Sequence, residues 1–231
     1  YPLSRMIGWR GVLALWAIPA VVAMMVWLPQ VKARPAREDG ADAGTTPRPR
    51  VALLRAPLAW KVAAFMGFQS LTFYVLLAWL PDLLQSRGMD AESAGWMLAL
   101  SQATGILGSA IVPVAAGGMG VMGGVARGGL MVGALAGWLI VWVSLIGFVL
   151  GGTFGLALLF LVVRSGDTDT ATRLSGMAQA IGYGIAAVGP VVVGVLHDIS
   201  GGWMVPLFFL VMVWLGKVWS GMEAGRVGVV G

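Results

Sequence analysis

Charge is what this sequence has least of. Lys, Arg, Asp and Glu together make up 11% of its 231 residues, against about 25% in an ordinary soluble domain. Too little charge is present to face water on all sides, which excludes a soluble globular enzyme and a disordered tail alike. The ten acids are Glu38, Asp39, Asp42, Asp82, Asp90, Glu92, Asp167, Asp169, Asp198 and Glu223, and all fall in gaps between long uncharged runs. No carboxylate lies in the middle of an apolar run, so the chain offers no proton relay of its own. Cysteine is absent, which removes disulfides, thiol nucleophiles and Cys-ligated metals. His197 is the only histidine, so no zinc or haem ligand set can be assembled, and neither a metal nor another cofactor is expected. The 15 Lys and Arg are scattered at the ends of apolar runs rather than massed on one face, so nucleic acid is not an expected partner.

Apolar residues fill the space that charge leaves. They make up 58% of the chain, and the mean hydropathy is +0.88. Glycine is abundant, at 35 residues, which suits close helix approach in lipid, where packing replaces the hydrophobic effect between helices. Uncharged intervals run over 11–31, 62–81, 93–126, 128–163, 174–196 and 199–216. A spanning helix needs about 20 apolar residues. Four of the intervals hold one helix each, while 93–163, interrupted only by Arg127, has room for three, near 95–115, 119–137 and 139–163. The middle of these three starts in Gly117-Gly118-Met119-Gly120-Val121-Met122-Gly123-Gly124, which is poor helix sequence, and carries Arg127 in its first turns. The expectation is an all-α integral membrane protein with seven spans.

The basic residues orient it. With seven spans, Arg5, Arg10 and Arg87 fall on one side. Lys32, Arg34, Arg37, Arg48, Arg50, Arg55, Lys61, Arg127, Arg164, Arg173, Lys217 and Arg226 fall on the other, a split of twelve against three. If 119–137 did not cross, Arg164, Arg173, Lys217 and Arg226 would change sides and the split would fall to eight against seven. The positive-inside rule favours the first arrangement, with the amino end outside and the carboxyl end cytoplasmic. Residues 29–57 form the long polar segment, rich in Pro, Ala and mixed charge, and read as a flexible cytoplasmic linker. Trp60, Trp79, Trp96, Trp203 and Trp219 sit near predicted span ends, as an aromatic belt does.

Inside the spans, uncharged polar residues carry the information. They are Gln69, Ser70, Thr72 and Tyr74 in one helix, Ser101, Gln102, Thr104 and Ser109 in the next, and Ser175, Gln179 and Tyr183 in the helix near 174–196. Gln179 and Tyr183 are four apart and share a face, on a segment made slim and bendable by Gly176, Gly182, Gly184, Gly189, Pro190 and Gly194. Such residues serve either as interhelical hydrogen-bonding glue or as a site. Amide and phenol groups bind a small polar or planar solute and have no acid–base chemistry to offer near neutral pH. Gly151-Gly152-Thr153-Phe154-Gly155 lacks the lysine of a phosphate loop and reads as a helix-packing surface. His197-Asp198 reads as a helix end turning into Ser200-Gly201-Gly202, and Asp82, Asp90 and Glu92 as part of a solvated loop.

Three ordered blocks resemble the major facilitator superfamily, closest to its cyanate and 2-nitroimidazole transporter branch. The first is Phe68-Gln69-Ser70-Leu71-Thr72-Phe73-Tyr74-Val75-Leu76-Leu77-Ala78-Trp79-Leu80-Pro81, continued by Arg87-Gly88-Met89 and Ala94-Gly95. The second is Ala171-Thr172-Arg173-Leu174-Ser175-Gly176-Met177-Ala178-Gln179-Ala180-Ile181-Gly182-Tyr183. The third is Gly189-Pro190, then Gly194-Val195-Leu196-His197-Asp198 and Gly202-Trp203, and Gly8-Trp9-Arg10 resembles the entry to the branch's sixth helix. The resemblance implies two six-helix bundles, a site between them at mid-membrane and alternating access. Residues 1–28 would be the last helix of the amino-terminal bundle, 29–57 the central cytoplasmic linker, 58–222 the carboxyl-terminal six-helix bundle and 223–231 a cytoplasmic tail. A chain that opens on Tyr1 rather than Met is expected to be a piece of a longer protein, completed by the rest of that amino-terminal bundle.

The family's loop after the helix at 95–115 usually carries several basic residues, where this chain has only Arg127, and 117–137 is short against the family's ninth helix. The implied function is transport of a small solute, such as a small anion like cyanate or a small planar heterocycle, across the plasma (inner) membrane. The candidate substrate-binding residues are Gln69, Tyr74, Ser101, Gln102, Gln179 and Tyr183; no catalytic residue is expected. A decayed or non-transporting membrane protein is the alternative, and a membrane-integral enzyme the more distant one.

Overall fold

The computed structural model describes residues 2–32, 54–116 and 139–225. Among these residues the chain is helical, with no strand. It is an all-α membrane protein, and six described helices are long and apolar enough to cross a bilayer. The span expected at 119–137, with Arg127, lies outside the described residues, as do most of the 29–57 segment and the tail beyond Gly225.

Two compact units divide the chain at Arg48/Pro49. The first contains α1 (Pro2–Lys32), which turns sharply at Gly8, where φ is 68° and ψ is 164°. Only glycine takes that backbone at low cost. The second contains α2 (Pro57–Gln85), α3 (Ala91–Ala116), α4 (Leu139–Val163), α5 (Thr168–Ser200) and α6 (Met204–Gly225).

Neighbour contacts set the directions of the helices in the second unit. Gly147 lies on Ser101, Gly151 on Gly105 and Gly155 on Ser109, so α3 and α4 run parallel. Gly182 lies on Met66 and Gly67, Gly189 on Leu71 and Val75, and Gly194 on Trp79, so α2 and α5 also run parallel. Phe65 packs edge-on against Phe160, and Gln69 reaches Leu150, so α2 and α4 are antiparallel. Because α3 and α4 point the same way, Ala116 and Leu139 stand at opposite ends of the unit.

The helices extend past the apolar runs. Helix α5 begins at Thr168, six residues before the uncharged interval, because Asp167 caps it through the Thr170 amide and Asp169 pairs with Arg173 one turn on at 2.9 Å. Helix α6 runs over Met204–Gly225 rather than 199–216, since α5 itself continues to Ser200 and ends on Gly201 in the left-handed region. Lys217 is therefore not a residue beyond a span: it sits within α6, turned inward and 3% exposed. At the same end, Lys61 of α2 pairs with Glu223 of α6 at 2.6 Å, and the Arg164 guanidinium donates to the Gly225 carbonyl. Charged side chains thus tie helix ends together, and a charge does not mark where a helix stops.

At the other end, Gly88, with φ 91°, turns α2 into α3, and Asp90 caps α3 by accepting from the Ser93 amide at 2.9 Å. That bond holds the Asp90 carboxyl below the ordinary value of 3.8. Asp82, Asp90 and Glu92 are exposed, as expected, although Asp82 still belongs to the last turn of α2. Trp60, Trp96 and Trp219 are exposed in the manner of a belt. Trp79 and Trp203 are not: they pack on each other and on His197, and Trp79 Nε1 donates to the Pro190 carbonyl.

Candidate functional site

A cavity of about 330 Å³ opens between α2, α3, α4 and α5. Gln69, Ser70, Phe73 and Tyr74 line it from α2, a helix whose other faces bury Phe65, Met66 and Leu71. From α3 come Ser101, Gln102, Gly105, Ile106 and Ser109; from α4 come Gly147, Leu150, Gly151 and Phe154; α5 adds Tyr183. None of these side chains carries a charge. Among the described residues, no group of three or more His, Asp or Glu is placed to hold a metal ion.

Polar groups of the wall split into occupied and available ones. Ser101 and Ser109 donate to the carbonyls one turn back, Leu98 and Ile106, at 2.7 and 2.8 Å. Each hydroxyl proton is thereby used, and the oxygen presents lone pairs. Gln102 makes only a long 3.4 Å contact with Ser101, so its amide retains most of its capacity. Gln69 is 1% exposed. Its Nε2 donates to the Leu150 carbonyl at 2.9 Å and its Oε1 accepts from Thr153. Tyr74 and Tyr183 meet edge to face across α2 and α5 with ring centroids 6.5 Å apart. Both rings are exposed, at 40% and 41%.

Five of the six sequence-expected residues converge here: Gln69, Tyr74, Ser101, Gln102 and Tyr183. Gln179 is not among the lining residues and donates to Ser175 Oγ at 2.8 Å, one turn below Tyr183. The shared face of Gln179 and Tyr183 is real, yet only its tyrosine end reaches the cavity wall. Ser70 and Ser109 were visible as span polar residues and join the wall, as do Phe73 and Phe154. Thr153, which bonds the lining residue Gln69, is read from the sequence only as part of a packing run. Its partner Gln69 lies 84 residues away, and no local pattern signals that pairing.

The glycines explain how α3 and α4 come close enough to share this wall. A Cβ on Gly151 would stand 1.7 Å from the Gly105 carbonyl oxygen, and one on Gly147 2.0 Å from that of Ser101. The run 151–155 is thus a packing surface, as its sequence indicates. On α5, Gly182, Gly189 and Gly194 make close approaches, whereas Gly176 and Gly184 face open space.

Comparison with known proteins places this arrangement. The chain is 34% identical over 229 residues to the uncharacterized transporter YycB of Bacillus subtilis, covering 95% of this chain and 56% of that protein. It is 32% identical over 227 residues to the 2-nitroimidazole transporter of Escherichia coli, covering 95% of this chain and 57% of that one. The cyanate transport protein CynX of the same organism is 32% identical over 215 residues, with 87% and 53% covered. The chain belongs to this family of major-facilitator-type transporters. It spans about half the length of these curated relatives. The family's named members are transporters, not enzymes. No family model matches the chain, and neither does any solved structure.

Proposed function

We propose that this chain supplies the carboxyl-terminal bundle of a secondary transporter, and that the cavity between α2, α3, α4 and α5 is its share of the solute site. The observation that carries the reading is the uncharged, polar and aromatic wall of that cavity, which stands within a membrane-spanning unit. Apolar rings and a few convergent hydrogen-bonding groups are what small-molecule sites are made of. The chemistry fits a small flat solute: the phenyl and phenol rings offer faces, while Gln102, Ser101, Ser109 and the tyrosine hydroxyls offer hydrogen bonds. The names of the relatives favour cyanate-like anions or small heterocycles. Gln69, Tyr74, Ser101, Gln102 and Tyr183 act at this wall, and Gln179 supports it from one turn away.

Residues 1–28 then serve as the last helix of an amino-terminal bundle, 29–57 as the central linker, 58–222 as the carboxyl-terminal bundle and 223–231 as its tail. The other bundle completes the site, and transport proceeds by alternating access. Seven crossings are supported by the charge split and by the parallel run of α3 and α4, which leaves Ala116 and Leu139 at opposite ends of the second unit. A cytoplasmic carboxyl end is supported by charge. Among the described residues of the second unit, Arg55, Lys61, Arg164 and Arg173 gather at the end where α6 finishes, and Arg87 stands at the other.

Uptake measurements test the proposal. The complete carrier in vesicles should show saturable uptake of cyanate or 2-nitroimidazole, and residues 1–231 alone should show none, since a site between two bundles needs both. Saturable uptake by the chain alone would refute the half-carrier reading. A reporter fused after Gly231 should report a cytoplasmic position, and an external position would overturn the topology.

A further inference from the structure

We infer that Thr153 is a positioning residue for solute binding, its hydroxyl fixing which way the Gln69 amide faces the cavity; the inference rests on the transport reading given above. Thr153 rises from the glycine run of α4 on the side opposite Gly151 and Gly155. While those glycines press on α3, Thr153 points at α2. It is 6% exposed, and Gln69 is 1% exposed. The hydroxyl oxygen lies 2.5 Å from Gln69 Oε1, 3.0 Å from the Val149 carbonyl and 3.1 Å from the Leu150 carbonyl.

One proton serves three acceptors. Two bare oxygens at 2.5 Å would repel, so the proton lies on the line to Gln69. The Leu150 carbonyl can only accept, which requires the amide nitrogen on that side, at 2.9 Å. Both ends of the amide are thereby assigned, and an amide so held cannot turn over. One N–H and one lone pair remain for the cavity that Gln69 lines. Without the hydroxyl, Oε1 loses its donor, and the amide is held only by the Nε2 bond to Leu150, about a last torsion that is broad and roughly two-fold.

Thr153→Val and Thr153→Ser separate positioning from simple interhelical glue. Valine keeps the shape and removes the hydroxyl; serine keeps the hydroxyl. In the complete carrier, with cyanate and 2-nitroimidazole as probes, Thr153→Val should raise KM roughly five- to tenfold, in line with losing one buried hydrogen bond. The maximal rate per folded carrier should stay near the wild-type value, and Thr153→Ser should restore KM. A lower amount of folded Thr153→Val protein with unchanged KM would overturn the inference. If the wild-type carrier moves neither probe, the transport reading fails. The contact is then judged by a double-mutant cycle of Thr153→Val with Gln69→Leu, read by thermal unfolding of this chain in detergent. Zero coupling there would overturn the positioning role, whatever the uptake result, and a clear coupling is the expected outcome.

Discussion

Two parallel helix pairs border the cavity, and they are joined by different means. Between α3 and α4 the contact is backbone on backbone: Gly151 faces the Gly105 carbonyl, Gly147 that of Ser101, and Gly108 that of Phe148. Between α2 and α5 Gly182 lies partly on the backbone of Met66 and Gly67, but the other glycines meet side chains first. Gly67 meets the end of Ile185, Gly189 meets Leu71 and Val75, and Gly194 meets the indole of Trp79. The first seam can yield little, because carbonyl groups in a helix move only with the helix, and side chains enter it only beside them, as Val112 does against Gly152 and Pro113 against Gly155. The second is lined by rotatable groups that can repack. The cavity therefore has one fixed wall and one more compliant wall, a combination that suits the solute site proposed above.

The sharpest way to break this comparison is to place the same methyl group in each seam. Gly151→Ala sets a carbon 1.7 Å from a carbonyl oxygen, so α3 and α4 must separate, and the cost should reach or exceed the top of the roughly 1–3 kcal/mol range for overpacking. Gly189→Ala brings a carbon 2.7 Å from Leu71 Cγ. Leu71 can turn away, and the gain in helix propensity of about 0.5–1 kcal/mol offsets part of the strain. Thermal unfolding of the two variants in detergent should show a severe loss, or no folded protein, for the first and a modest shift for the second. Equal losses would show that the seams are alike.

A smaller effect sharpens the picture of the compliant seam, which needs at least one fixed point. Trp79 supplies it by donating to the Pro190 carbonyl at 2.9 Å, packed beside Gly194, His197 and Trp203. Trp79→Phe keeps an aromatic ring and removes the donor, and should cost about 0.5–1.5 kcal/mol, the usual net worth of one hydrogen bond. Trp96→Phe, on an exposed ring at a helix start, is the control and should leave the unfolding temperature unchanged. If both variants behave like the control, the aromatic cluster does not pin the seam.

Much of this architecture is legible in the sequence, and the failures share one cause. Long uncharged runs locate the helices, because lipid tolerates neither charge nor unpaired backbone. The same reasoning misplaces their ends, because Lys61, Arg173, Lys217 and Glu223 look like stops, although Lys61 and Glu223 pair across helices, Arg173 pairs with Asp169 inside α5 and Lys217 lies buried within α6. The glycine run at 151–155 is recognisable as a packing surface, since glycine in a membrane helix has few other uses. Its choice of α3 as partner is not, because parallel neighbours are brought together by chain outside the pair. In the same way, Tyr74 and Tyr183 are each visible as polar aromatics within spans, whereas their meeting depends on the α2–α5 seam. Gln179 stands apart from the cavity for a local reason: Ser175, four residues back, offers it a bond along its own helix.

The smallest expected effect concerns the turn that connects the compliant seam to the fixed one. Helix α2 belongs to the first and α3 to the second, and Gly88 and Asp90 make the corner between them. The Ser93 amide bonds to the Asp90 carboxylate and draws its pKa below 3.8. A carboxyl whose folded pKa lies below its unfolded value stabilises the folded state above the unfolded pKa. That contribution fades as the pH falls below about 3.9 and through the lower folded value. Near neutral pH, Asp90 is fully ionised and contributes in full, so acid alone should loosen the first turn of α3. Asp90→Asn retains a good capping oxygen without the charge. Backbone amide exchange at Ser93 should therefore quicken in the wild type as the pH drops below that range, once the intrinsic pH dependence of exchange is subtracted, and stay level in Asp90→Asn. A similar acid response in both proteins would mean that the corner is held by Gly88 and the surrounding backbone bonds, and that the cap adds nothing to the joint between the two seams.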